Sequence, residues 1–82
     1  MLDGLLMYCD KAKSDEEKIV LLRICIVALN KLRMHSSLDT TLGCDVRDLN
    51  KKTEACASKE NFLKLWYIGV DLVQAYKEAL SA

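Results

Sequence analysis

Leu2, Leu5, Leu6, Cys9 and Ala12 recur at intervals of three and four residues, which lines one face of an amphipathic helix over about 2–13. Ser14 then offers a hydroxyl cap. Glu17 stands three residues on as its capping-box partner, and Asp15, Glu16 and Glu17 together favour the positive end of a helix dipole. A second helix is therefore expected over about 15–34. It carries Ile19, Val20, Leu21, Leu22, Ile24, Cys25, Ile26, Val27, Ala28 and Leu29 before turning basic at Lys31 and Arg33. A helix apolar on nearly every face is one buried on several sides, so this helix should be the centre of a bundle. The β-branched run Ile24, Ile26, Val27 would also suit a buried strand, but charged flanks and a length of about 20 residues favour helix.

Beyond it, Ser36 and Ser37 can stop one element and cap the next, a short helix over 37–42 that Gly43 closes in a left-handed position. Asp45 can cap a fourth helix over 46–56, with Val46, Leu49, Thr53 and Cys56 on its apolar face. Ser58 caps the last, over 59–80. Its stripe reads Phe62, Leu65, Trp66, Gly69, Val70, Leu72, Val73, Tyr76 and Leu80. A glycine in mid-helix costs about 1 kcal/mol against alanine, so Gly69 should mark a close crossing of the central helix. The predicted fold is all-α: one domain, 1–82, a compact bundle of four to five helices with a buried central second helix and a long C-terminal one. Three glycines and no proline in 82 residues agree, because turn-rich β folds consume both.

Charge narrows the possible partners. Twelve Lys plus Arg against twelve Asp plus Glu leaves no net field to hold nucleic acid or an anionic membrane. The longest apolar stretch, Ile19 to Leu29, is interrupted by Arg23 and is shorter than the roughly 18 residues a membrane span needs. Neither nucleic acid nor membrane is expected as a partner. Arg23, the one charge in that run, should either snorkel to the surface or pair with an acid.

The four cysteines, Cys9, Cys25, Cys44 and Cys56, are separated by 16, 19 and 12 residues, with no Cys-x-x-Cys pair and a single His35 to complete a zinc site. Free thiols in an intracellular, reducing setting are expected, with no metal and no cofactor. Catalysis has few candidates. His35 with Cys44 is conceivable across a loop, but a histidine near a helix C-terminus is more often a cap or dipole partner. The acidic groups fall where helix N-termini recruit acids, and the glycines form no phosphate loop. The chain reads as a non-enzyme. Tyr8 and Tyr67 flank apolar stripes, where amphipathic rings serve as interface anchors.

The order of elements, with Cys25-Ile26-Val27-Ala28-Leu29-Asn30-Lys31-Leu32 in the second helix, Leu38 and Leu42 in the third, Val46 and Leu49 in the fourth and Gly69-Val70-Asp71-Leu72-Val73-Gln74-Ala75-Tyr76 in the last, resembles the N-terminal domain of transcription elongation factor TFIIS. Within that superfamily it is most similar to the integrase-binding domain of lens epithelium-derived growth factor. The resemblance implies a non-catalytic nuclear scaffold that binds short, disordered, often acidic and Phe-containing motifs of transcription elongation or chromatin factors. It implies a partner surface at the loop between the first two helices and the loop between the last two. In this chain those are Ser14, Asp15 and Glu16, with Asp15 receiving the partner's backbone, and the vicinity of Phe62, to which Tyr67, flanking its apolar stripe, is added as an anchor. Asp15 serves equally as an N-terminal capping acid. The alternative function is a self-associating helical bundle in which a second copy completes exposed parts of the first and last helices.

Overall fold

The computed structural model describes residues 2–35, 40–56 and 58–81. Helix follows helix: α1 (Leu2–Lys11), α2 (Asp15–His35), α3 (Thr40–Glu54), α4 (Lys59–Lys64) and α5 (Trp66–Ser81). No strand occurs among the described residues, and the all-α bundle is the fold. The Ser14 hydroxyl accepts from Glu17 N at 3.2 Å, so Ser14 caps α2 as predicted, while the Glu17 carboxylate pairs back to Ser14 by accepting from its hydroxyl at 3.2 Å and not from its backbone N–H as a full capping box would. Ser58 does the same for α4, accepting from Asn61 N at 3.2 Å.

Two boundaries differ from those expected. Residues 40–42 and the predicted fourth helix form one element, α3, which runs straight through Gly43 and Asp45. No glycine has positive φ, so Gly43 is helix interior and not a left-handed stop. The reason lies in packing: Leu42, Val46 and Leu49 continue a single apolar stripe at four and three residues, and no proline interrupts it. Gly43 is also where the stem of Arg33 passes, since a Cβ there would meet Arg33 Cγ at 3.6 Å. Ser36, Ser37 and 38–39 lie outside the described residues.

The predicted helix over 59–80 is divided at Leu65 into α4 and α5. Leu65 N donates to Phe62 O at 3.1 Å, a three-residue closure, and Gly69 N returns to the four-residue ladder by donating to Leu65 O at 3.0 Å. Leu65 stays right-handed, φ −80° and ψ −12°, so the chain tightens by one turn without breaking.

The core is built from one face of each long helix. Leu22, Cys25 and Leu29 of α2 meet Val46 and Leu49 of α3, and Trp66, Leu72, Val73 and Tyr76 of α5, with Leu2 and Cys9 of α1 closing one side. α2 packs against all four other helices, the central position foreseen for it, but it is not buried on several sides as its all-round apolar pattern suggested: Leu22, Cys25 and Leu29 are buried while Val20, Ile24 and Val27 are exposed. The bundle measures 34 × 27 × 15 Å along its principal axes. A thickness of 15 Å holds two helix layers at the usual spacing of about 8–10 Å, and the exposure of Val20, Ile24 and Val27 shows that no described helix covers the outer side of α2. Polar pairs fasten the layers. Asn30 of α2 and Asn50 of α3 exchange amide hydrogen bonds at 3.2 and 2.6 Å, and Lys77 of α5 meets Asp3 of α1 at 2.7 Å.

Gly69 sits where α5 crosses α2. A Cβ on it would lie 2.6 Å from Leu22 Cδ1, inside any permitted contact, and 3.8 Å from Leu49 Cδ2. Alanine there gains about 1 kcal/mol of helix propensity but overpacks a filled core, which costs about 1–3 kcal/mol. Gly69→Ala is therefore expected to lower stability by up to about 2 kcal/mol in urea unfolding, and to raise it when introduced into a Leu22→Ala background. Gly43→Ala, with only ordinary contact to Arg33, is expected to stabilise by about 0.5–1 kcal/mol. A loss there would mean that position 43 is a left-handed cap after all.

Candidate functional site

The five residues expected to bind a partner are distributed as follows. The Ser14 hydroxyl is occupied as the α2 cap. Asp15 is exposed on the first turn of α2. Glu16 Oε1 takes Lys59 Nζ at 3.1 Å, which ties the first turn of α2 to the start of α4. Phe62 is half-buried on α4, with the Arg23 guanidinium 5.6 Å from its ring centroid. Arg23 is exposed, so it reaches the surface as expected, and on the way its guanidinium lies over the Phe62 face. Tyr67 is exposed on α5, and none of these contacts reaches it. The Glu16–Lys59 pair brings the first turn of α2 beside the start of α4.

Acidic chemistry at this junction is modest. The Glu16 carboxyl is held below its ordinary range, first by its own backbone N–H and then by Lys59. Lys77 does the same for Asp3. Both carboxylates are fully exposed, where water and salt screen such pairs.

A larger feature lies on α2. Val20 is 57% exposed, Ile24 48%, Val27 57% and Met34 73%, and Lys31 completes their spacing of four, three, four and three residues. At about 100° per residue this row points away from Leu22, Cys25 and Leu29. Glu17 extends it by one position toward the N-terminus. The row is therefore an a/d seam of the kind helices use to pack on helices, with an acid at one end and a base near the other. Two depressions line it. Arg23, Ile24, Val27, Ala28 and Lys31 wall the first, and Tyr8, Lys11, Glu16, Glu17, Val20 and Leu21 the second. Tyr8, exposed on α1, makes the side wall of the second depression.

Sequence reasoning missed this face because α2 is apolar all round and its pattern cannot say which side the core takes. The signal that could have found it is the three-four spacing itself, with Leu22, Cys25 and Leu29 already sufficient to fill a second, inner stripe.

The remaining reactive groups are quiet. Among the described residues no group of three or more His, Cys, Asp or Glu could hold a metal ion. The His35 side chain lies outside the described set, and with it the pairing with Cys44. Cys9 and Cys25 are buried free thiols with Sγ atoms 3.9 Å apart. Burial pushes the Cys25 thiol up to about 12, with Cys9 adding to the shift, and burial raises Cys9 as well. A thiol held protonated is a poor nucleophile and metal ligand. Burial likewise raises the Tyr76 phenol. No described helix is long and apolar enough to cross a membrane.

Comparison with protein families, with curated proteins and with solved structures finds no match to this chain.

The thiols give a direct check of the packing. At neutral pH a thiol reagent should modify exposed Cys44 rapidly, while Cys9 and Cys25 react only on unfolding. Because the Cys25 pKa is raised on folding, its contribution to stability is complete below the unfolded value of 9.0 and is lost as pH rises toward about 12. The alkaline fall in the urea midpoint should be shallower in Cys25→Ala. Fast modification of Cys25 in the native protein would refute the packing of α1 on α2.

Proposed function

We propose that this chain is a non-catalytic protein-interaction module whose docking face is the outer side of α2. The observation that carries the reading is the exposed row Val20, Ile24, Val27 and Met34 at helix-packing spacing, opposite a core that is already complete without it. Contiguous exposed apolar surface rimmed by charge is what marks a protein contact site, and an amphipathic face of this kind accepts another helix. Four free thiols, two of them shut in the core, support an intracellular, reducing setting.

A second reading places the partner at the junction of the loop before α2 with α4. The Glu16–Lys59 ion pair favours it by bringing those two segments together. There Asp15, with Phe62 nearby, would hold short disordered motifs of transcription elongation or chromatin factors in the nucleus, as the resemblance to TFIIS N-terminal domains implies.

A photo-crosslinking amino acid at position 27, at position 15 and, as control, at Arg47 on the exposed side of α3 separates these readings in cells. Protein adducts from position 27 and not from 47 are expected. Adducts from position 15 alone, lost on Asp15→Ala at a neighbouring probe site, would favour the second reading. Adducts from neither 27 nor 15 would overturn both.

A further inference from the structure

Building on the reading of the α2 outer face as an interaction surface, we propose that its occupant is a second copy of this chain, packed antiparallel about a two-fold axis that passes between Ile24 and Val27. The seam Glu17, Val20, Ile24, Val27, Lys31, Met34 has a spacing of three, four, three, four, three, which reads the same in both directions. Turned end for end about that axis, Ile24 faces Val27, Val20 faces Lys31 and Glu17 faces Met34 of the other copy. Each a position then meets a d position, the layer pattern of antiparallel helix pairs.

The two depressions fit this register. Ile24, Val27, Ala28 and Lys31 sit at i, i+3, i+4 and i+7, the four corners of a hole for a facing knob, and Ala28 keeps its floor low. The side chain brought over it is Ile24 of the second copy. Seven residues away, about 10.5 Å along the helix, the second depression receives the second copy's Lys31, seven residues beyond its Ile24. Its stem would lie on Val20 and Leu21, and its ammonium would reach the carboxylates of Glu16 and Glu17. Each of those is engaged through Oε1, by Lys59 and by the Ser14 hydroxyl respectively, and each has a second oxygen with which to accept.

Charge selects the orientation. The acids that flank the seam are Glu16 and Glu17 in the first turn and the base on it is Lys31 toward the other end, so an antiparallel copy sets acid against base twice over. A parallel copy would set Glu17 on Glu17 and Lys31 on Lys31. A flanking heterologous helix would need a pattern of its own to match both holes. This chain already carries one.

The seam is short, so the expected dimer is weak and needs concentration. Sedimentation equilibrium from about 5 to about 500 µM covers the range for an interface of this size. A reversible dimer is expected, weakened by added salt. Ile24→Glu, Val27→Asp and Lys31→Glu should each raise its dissociation constant at least about tenfold, with the helical circular dichroism and melting curve retained because all three sites are exposed. Glu17→Lys should also break it. The double variant Glu17→Lys with Lys31→Glu should dimerise again, since the exchange restores opposite charges where positions 17 and 31 of the two copies meet. A parallel seam would not be rescued by that exchange.

A folded wild-type chain that stays monomeric throughout would overturn the proposal, as would a dimer indifferent to Ile24→Glu or one that the double exchange fails to restore. The underlying reading fails separately. If the chain is monomeric but position 27 still crosslinks to a different protein, the face is an interface and only the second copy is wrong. If position 27 crosslinks to nothing, the interface reading falls as well.

Discussion

The close approach of α5 to α2 at Gly69 is the constraint on which the rest of the structure depends. With no side chain at 69, Leu22 Cδ1 occupies the space a Cβ would need, and Leu49 of α3 closes in behind it. Three helices thereby share one point, and the buried residues on either side of it, Cys25 and Leu29 on α2 and Val73 and Tyr76 on α5, are brought together as consequences of that crossing. A domain this small has little apolar area with which to offset chain entropy, so each close contact is a large fraction of its net stability. Moving α5 outward by the width of a methyl group would open voids along the whole α2–α5 seam, each with its own cost.

Polar pairs set register more than they add stability. The exposed ion pairs Lys59–Glu16 and Lys77–Asp3 belong to a class that contributes about 0–1 kcal/mol and weakens with salt. The Asn30–Asn50 pair differs, being half-buried and reciprocal. Removing one amide strands the other, and an unsatisfied buried polar group costs about 1–3 kcal/mol. Sliding α3 by one turn along α2 would strand both. The pair is thus what makes one packing of α3 better than its neighbours, while burial of Val46 and Leu49 supplies the drive.

How much of this was legible in the chain depended on distance along it. The caps at Ser14 and Ser58 were readable because donor and acceptor lie three residues apart. The role of Gly69 was readable because a helical glycine is locally unfavourable and needs a tertiary reason. The same local logic failed at Gly43 and Asp45, whose stop and cap signals yielded to the stripe Leu42, Val46, Leu49. The tightened turn at Leu65 has no proline or glycine to announce it, and Asn30 with Asn50 is a pairing across 20 residues that no window contains. Of the expected site, the meeting of Glu16 with Lys59 at the start of α4 joins residues 43 apart, and only the family resemblance set those two segments together in advance. The outer face of α2 was not, because periodicity counts apolar positions and cannot say which of two apolar faces is covered.

That second face is what the fold itself does not require. Leu22, Cys25 and Leu29 satisfy the core from α2. At exposed positions of a helix, residues such as Glu, Lys or Gln form helix better than the β-branched Val20, Ile24 and Val27, whose side chains lose rotamer freedom against the preceding turn. Those three keep about half of their surface in water and gain no propensity where they stand, and they expose an apolar strip that promotes indiscriminate association. A sequence shaped by monomer stability alone would replace them with polar residues. Their presence, in register with Lys31 and Glu17, is what the proposed docking of a helix would account for, because a helix laid across them would give these exposed side chains burial.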